Sequence, residues 1–328
     1  LELDFEDLFG LSGGTFFAQY YTLRGRNGSD EVGDIQGFSN IDGERLGHLA
    51  QLWYEQWFMD KAFRIKAGKV DANEDYAFVN SAIDLLNSSA GYSPTILQMP
   101  TYPYPAWSIN TFFYPSKRTH FGIGLFDSTL GECAHEEPLE REAPPDSPTD
   151  LFLISEFGFN WSEAGKGKPG RLAFGPWYQS RAVDRFDNQR TTDALGFYAV
   201  FEQKLWNPSK ENEEQGLNLF LQYGYGDRAI CQVTHHLSLG LVHRGLLPGR
   251  REDIAGVMLS LVSLSPEEGV AFNSQEKVWE LFYRLQLSRF VGLTSDIQYI
   301  VDPSGLTSSA NTLVATFRFE LSIGSDSL

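Results

Sequence analysis

Charged residues recur at every second position within otherwise oily stretches of this chain. In "TLVATFRFELSIG", Arg318 and Glu320 alternate with Leu313, Ala315, Phe317, Phe319, Leu321 and Ile323. In "VWELFYRLQL", Glu280, Arg284 and Gln286 oppose Trp279, Leu281, Tyr283, Leu285 and Leu287. Glu202 and Lys204 likewise oppose Leu195, Phe197, Ala199, Phe201 and Leu205. Arg64 and Lys66 oppose Phe63, Ile65 and Ala67, while Trp53 and Glu55 share a polar face in "LAQLWYEQWF". Such groups line a wet surface or pair across strands.

Other chemistries find less support. "EAGKGKPGR" has the glycines and lysines of a phosphate loop but neither its GK[ST] end nor its strand-to-helix setting. His235, His236 and His243 suggest a metal, yet no carboxylate or thiolate is spaced with them, so no metal or other cofactor is expected. There is no G-x-S-x-G elbow. Paired carboxylates could cleave glycosides, but acids on polar strand faces read more simply as lining, and no enzyme is expected. Asn27-Gly28-Ser29 and Asn160-Trp161-Ser162 match a glycosylation pattern too common to use.

The elements that carry these residues are strands. Period-two alternation gives each segment one oily and one polar face. About fourteen such segments follow one another, rich in aromatic and branched residues and bounded by Gly, Pro, Asn and Asp. Alternation alone fits either a soluble sheet with its oily face inside or a membrane barrel with its oily face in lipid. The connections divide the two. Short links at Met59 to Ala62, Ser116 to His120 and Arg289 to Gly292 alternate with long ones. The long ones are Gly25 to Arg45, Asp71 to Ala106, Ser128 to Asp150, Arg181 to Asp193 and Ser263 to Glu276. Short turns on one side and long loops on the other are the asymmetry of outer-membrane barrels. In the longest, a helix from about Asp75 to Leu86 is expected before "MPTYPYPAW". A long link inside a compact fold is usually functional. We therefore expect 72–105 to fold into the lumen as a constriction, an outward cap being the other reading.

Composition bounds the rest. The chain has 328 residues, 42% hydrophobic and 14% aromatic, and no apolar run long enough for a spanning helix. Its net charge of −17, from 43 acidic and 26 basic residues, argues against a nucleic-acid partner. Much of the acid lies in Gly131 to Asp150 and Asn207 to Gly216, read as solvated loops. Two cysteines, Cys133 and Cys231, make no disulfide framework and leave open whether they pair. The opening "LELDFEDLFG" lacks signal-peptide features, and the sequence reads as mature or trimmed.

An ordered series of stretches resembles the carbohydrate-selective porins of the OprB type. These are "LFGLSGGTFF", "LWYEQWFMDKAFRIKAGKVDANEDYA", "PTYPYPAWSINTFFYP", "FGFNW", "GFYAVFEQKLW", "GLLPGRREDIAGV", "WELFYRLQL" and "LTSDIQYIVDPSG". They cover nearly the whole chain in the family's order. The resemblance implies an all-β transmembrane antiparallel barrel of about sixteen strands in a bacterial outer membrane, of which roughly two N-terminal strands precede this sequence. It implies one porin domain over 1–328, passing neutral sugars such as glucose by diffusion. Its surroundings are outer-membrane lipid and lipopolysaccharide, and self-association into a homo-oligomer stays open. The family's chain usually ends on an aromatic residue, whereas this one runs on to Leu328.

A sugar channel stacks rings on pyranose faces and exchanges hydrogen bonds with hydroxyls, weakly enough for release. The candidate lining is Trp53, Glu55, Arg64, Lys66, Glu202, Glu280, Arg284, Arg318 and Glu320, with Tyr102, Tyr104 and Trp107 stacking from the long loop. Arg64 and Lys66 rank highest because their strand feeds that loop. The rival readings are a porin for other solutes, an outer-membrane barrel enzyme and a soluble lectin-like sandwich.

Overall fold

The computed structural model describes residues 1–43, 45–128, 150–161, 168–180, 183–185, 190–191, 193–208, 214–267, 275–305 and 309–323. The first half holds β1 (Glu2–Asp4), β2 (Gly14–Leu23), β3 (Leu46–Phe58), β4 (Phe63–Val70), β5 (Ala106–Ser116), β6 (Thr119–Asp127), β7 (Leu151–Trp161) and β8 (Gly170–Gln179). A two-residue pair, β9 (Val183–Asp184) and β10 (Arg190–Thr191), sits in the next connection. Then come β11 (Ala194–Trp206), β12 (Gly216–Gly226), β13 (Val233–Arg244), β14 (Ile254–Leu264), β15 (Gln275–Ser288), β16 (Val291–Val301) and β17 (Thr312–Leu321).

All except β9 and β10 form one 15-stranded antiparallel sheet in which each strand pairs with its chain neighbours. The expected strands are therefore present, and the addition is β1, whose three residues are too short for a periodic signal. Next-neighbour pairing throughout is an up-and-down meander, the topology of a barrel wall. Among the described residues, no helix is long and apolar enough to cross a membrane.

Connections obey the expected asymmetry. One end of the sheet carries the tight turns Met59 to Ala62, Lys117–Arg118 and Arg289–Phe290, besides 207–215 and 245–253. The other carries 24–45, 71–105, 128–150 and 302–311, with 227–232 as its short member.

The two faces are inverted relative to a soluble sheet. The uncovered face presents Ile109, Phe121, Ile123, Leu221, Leu239, Trp279, Leu281, Phe317 and Phe319. Phe317 is 77% exposed and Phe319 65%. The covered face buries Lys66, Asn110, Glu156, Glu202, Gln222, Ser260, Glu280, Asp296 and Gln298. A continuous oily exterior around a polar interior suits hydrocarbon outside and water inside.

The interior also holds rings. Phe112, Phe220 and Phe282 each face a glycine directly across the ladder, at Gly122, Gly240 and Gly256. A Cβ added there would lie 2.3, 2.2 and 2.6 Å from the respective ring. Each ring thus lies flat over its neighbour strand, where any side chain would displace it. Gly68 is needed for another reason: its φ is +134°, and a Cβ would lie 2.2 Å from the Leu52 carbonyl.

The long connection 71–105 packs on the inner face. Tyr76 lies 5.2 Å from the Phe112 ring, in a cluster with Phe126, Phe152, Trp177 and Tyr198. Val79, Ala82, Leu85 and Ala90 form a second cluster with Val200, Phe220, Met258 and Phe282. The expected helix over Asp75 to Leu86 is absent. Helical turns at Ala72–Asp75 and Ser88–Gly91 flank a 3₁₀ turn at Asn80–Ala82, and Ala77 has a φ of +55°. The physical reason is competition: the wall takes the Ser81 and Leu86 amides, which a helix over 75–86 would have used internally, and Ala77 leaves the right-handed region.

Candidate functional site

The interior is built from strand residues of one parity and the segment 71–105. On β4, Arg64 and Lys66 both point inward and grip one carboxylate. Arg64 Nη2 lies 2.6 Å from Asp75 Oδ1, and Lys66 Nζ lies 3.0 Å from Asp75 Oδ2. Glu55 on β3 adds a second partner for Arg64 at 3.3 Å and accepts from Trp57 Nε1. Trp53 is stacked on Phe17 at 5.0 Å, with Lys66 Nζ 4.4 Å above its ring. Asp75 lies on the segment itself. Burial would push its carboxyl up, but Lys66 and Arg64 outweigh that and hold it below the usual range.

Further round the wall the grip is reversed. Carboxylates of β7, β11 and β15 accept backbone amides of the segment. Ala77 N donates to Glu156 Oε2 at 3.0 Å, Ser81 N to Glu202 Oε1 at 2.7 Å, and Leu86 N to Glu280 Oε1 at 2.6 Å. Arg171 on β8 joins two of these acids, 3.1 Å from each of Glu156 and Glu202. Glu276 does the same for the connection 24–45, taking the amides of Ile35 and Gln36. Arg284 pairs with Asp84 of the segment and, at 2.7 Å, with Glu320. Arg318 donates to Asn40 Oδ1 at 2.6 Å.

Arg64, Lys66, Glu55, Glu202, Glu280, Arg284, Arg318, Glu320 and Trp53 thus all lie on the inner side of the wall. Most of them touch the long connections. Five groups of that network were not among the candidates: Asp75 and Asp84 on the segment, and Glu156, Arg171 and Glu276 on the wall. The only signal at Glu156 is a lone charge inside "LFLISEFGF".

The stacking set divides. Tyr102 follows the segment's return, donating its amide to Asp71 Oδ2 at 3.0 Å and its hydroxyl to the Ile41 carbonyl at 3.2 Å. Tyr104 sits beside the His48 ring at 6.1 Å. Trp107 corrects the expectation. It is the second residue of β5, on the outward parity with Ile109 and Phe113, and is 50% exposed there.

The histidines do not converge. His235 and His243 take one parity of β13 and His236 the other. His236 is held between Ser93 and Ser260 at 3.1 and 2.9 Å, while His235 meets the Tyr223 hydroxyl. Cys231 is a buried thiol. Cys133, most of the acidic stretch 131–150 and the first five residues of "EAGKGKPGR" lie outside the described residues.

Open space remains at both ends of the segment. At the turn end a hollow of 590 Å³ is lined by Asp84, Arg244, Arg284, Arg318 and Glu320. A second of 400 Å³ lies between Asn80, Arg171, Glu202 and Lys204. At the loop end a hollow of 370 Å³ separates the connections 24–45 and 71–105.

An oily-out, polar-in antiparallel wall with a long connection bound to its inner face defines a porin-type β-barrel protein. The chain belongs to the carbohydrate-selective porins of the OprB family, matching over residues 1–322. Porin B of Pseudomonas aeruginosa is 19% identical, with 98% of this chain and 79% of that protein aligned. The high-pH structure of Pseudomonas putida OprB superimposes with a TM-score of 0.84 at 18% identity, covering 98% of this chain and 85% of that one. Its low-pH counterpart gives 0.59 at 17% identity, covering 98% and 82%. The family makes this chain an outer-membrane porin for sugars, and the fold is that of a channel wall.

Proposed function

We propose that sugars diffuse through this wall from the loop-end hollow to the turn-end hollows, past a constriction formed by 71–105. The wall sits in the outer membrane, its long connections external and its tight turns periplasmic. The carrying observation is the capture of the segment's amides by Glu156, Glu202 and Glu280, which binds it to the inner face. The proposed lining divides by role. Arg64, Lys66, Glu55, Trp53 and Glu280 position the segment, whereas Arg284, Arg318 and Glu320 border the turn-end hollow and Glu202 the neighbouring one. Amides, guanidinium groups and carboxylates exchange hydrogen bonds with sugar hydroxyls one at a time, and shallow contacts allow release.

Planar-bilayer recordings test this. Single-channel conductance in salt is expected to fall as glucose is added. Conductance that no sugar reduces would leave a pore without sugar preference and overturn the selectivity.

A further inference from the structure

The loop-end hollow has a character of its own. Its titratable lining is Asp42, Asp71, Glu74, Tyr92 and Tyr102; among the described residues no lysine, arginine or histidine lines it, and Arg318 stands behind Asn40, 2.6 Å from its Oδ1. Asp42 spends Oδ2 on the Gly28 amide at 3.0 Å, and Glu74 spends Oε1 on Gln51 Nε2 at 2.6 Å. The second oxygen of each takes no protein donor among the described residues. Asp71 is engaged on both oxygens, holding the amides of Asn73 and Tyr102 at the two ends of the segment. Ser39 is only 8% exposed, borders the hollow, and its hydroxyl has no partner among the described residues. A nearly buried hydroxyl that meets no protein partner takes its hydrogen bond from whatever fills the hollow it borders.

We infer that this hollow is a sugar-binding station that takes uncharged and amino sugars and turns away acidic ones. The inference rests on the porin reading. Its volume of 370 Å³ falls within the ~300–1,000 Å³ of small-molecule sites. Free carboxylate oxygens of Asp42 and Glu74 accept hydroxyl hydrogens in charge-assisted bonds, Ser39 completes the set, and Tyr102 offers a ring face. An ammonium group gains from the same acids. A uronate meets the like charges of Asp42, Asp71 and Glu74, which outnumber the one neighbouring base, Arg318 behind Asn40, so rejection comes from repulsion rather than fit.

The test measures blockade of the full chain in planar bilayers at neutral pH by glucose, glucosamine and glucuronate. Glucosamine is expected to block at about five-fold lower concentration than glucuronate, with glucose between. Asp42→Asn and, separately, the exposed Glu74→Gln should each narrow that spread, and Tyr102→Ala should weaken blockade by glucose. Current in salt alone reports whether each variant forms a pore. Equal blockade by glucosamine and glucuronate, or an order unmoved in both acid variants, overturns the station while leaving the porin intact. Loss of glucose blockade in the unaltered chain would instead overturn the porin's sugar preference.

Discussion

The wall holds the long segment in two ways, and they differ in what they ask of the segment. At β4, two bases grip the side chain of Asp75, so a particular acid must stand there. Across β7, β11 and β15, three acids grip backbone amides, so these contacts do not depend on which side chain stands at 77, 81 or 86. The first contact is specific in both partners. The second constrains only the wall and leaves the segment's side chains free to face the passage or fill the core.

The largest effect that could break this comparison is expected from Asp75→Asn. It leaves Lys66 and Arg64 without their shared carboxylate in a buried place, a loss of about 3–5 kcal/mol. Denaturant or thermal unfolding of the detergent-solubilised protein reads the stability, and single-channel conductance should rise. Unchanged stability and conductance would mean that β4 does not anchor the segment. A smaller cost, about 1–3 kcal/mol, is expected from Glu156→Gln. Its carbonyl still accepts from Ala77, and Arg171 keeps Glu202. A loss as large as that of Asp75→Asn would erase the distinction.

Acidity sharpens the comparison further. Asp75 is held below the usual carboxylate range, so its contribution is present above the ordinary value near 3.8 and is lost only as pH falls through the lowered one. Burial pushes Asp71 up to about 6. Its contribution is full below the ordinary value of 3.8 and is lost as pH rises through about 6. Hydrogen-exchange protection of the Tyr102 and Asn73 amides, corrected for intrinsic rates, should therefore fall between pH 4 and 7 while that near Asp75 holds. Parallel loss at both places would contradict this. The smallest effect belongs to Ser81→Ala, within about 0.5 kcal/mol, because Glu202 holds an amide that the substitution keeps. A larger loss would show that the side chain matters there.

The same contrast explains what could be read in the sequence. Strands were legible because alternation is local, and the placement of turns was legible because antiparallel neighbours must alternate ends. Opposite charges such as Arg284 and Glu320 could be placed on one face. The amide contacts could not, since an acid that binds a main chain looks like any other acid on a polar face. Glu156 was hidden by Phe152 and Ile154, inward neighbours that are oily because they pack in the cluster that Tyr76 of the segment joins. Phe282 shares the face of Glu280 and Arg284 for a similar reason, packing in the cluster that includes Val79 and Leu85, about two hundred residues away in sequence. The helix over 75–86 failed where the wall competed for its hydrogens. Trp107 failed by parity, because β5 already begins at Ala106.

The glycines opposite Phe112, Phe220 and Phe282 have a consequence for how closely the long segment lies against the wall. A ring lying on its neighbour strand occupies only its own thickness, whereas a ring lifted by a methyl group would press on Tyr76, Val79 or Leu85 above it. Gly122, Gly240 and Gly256 therefore seat the segment low by the atoms they lack, without lengthening a strand or adding one.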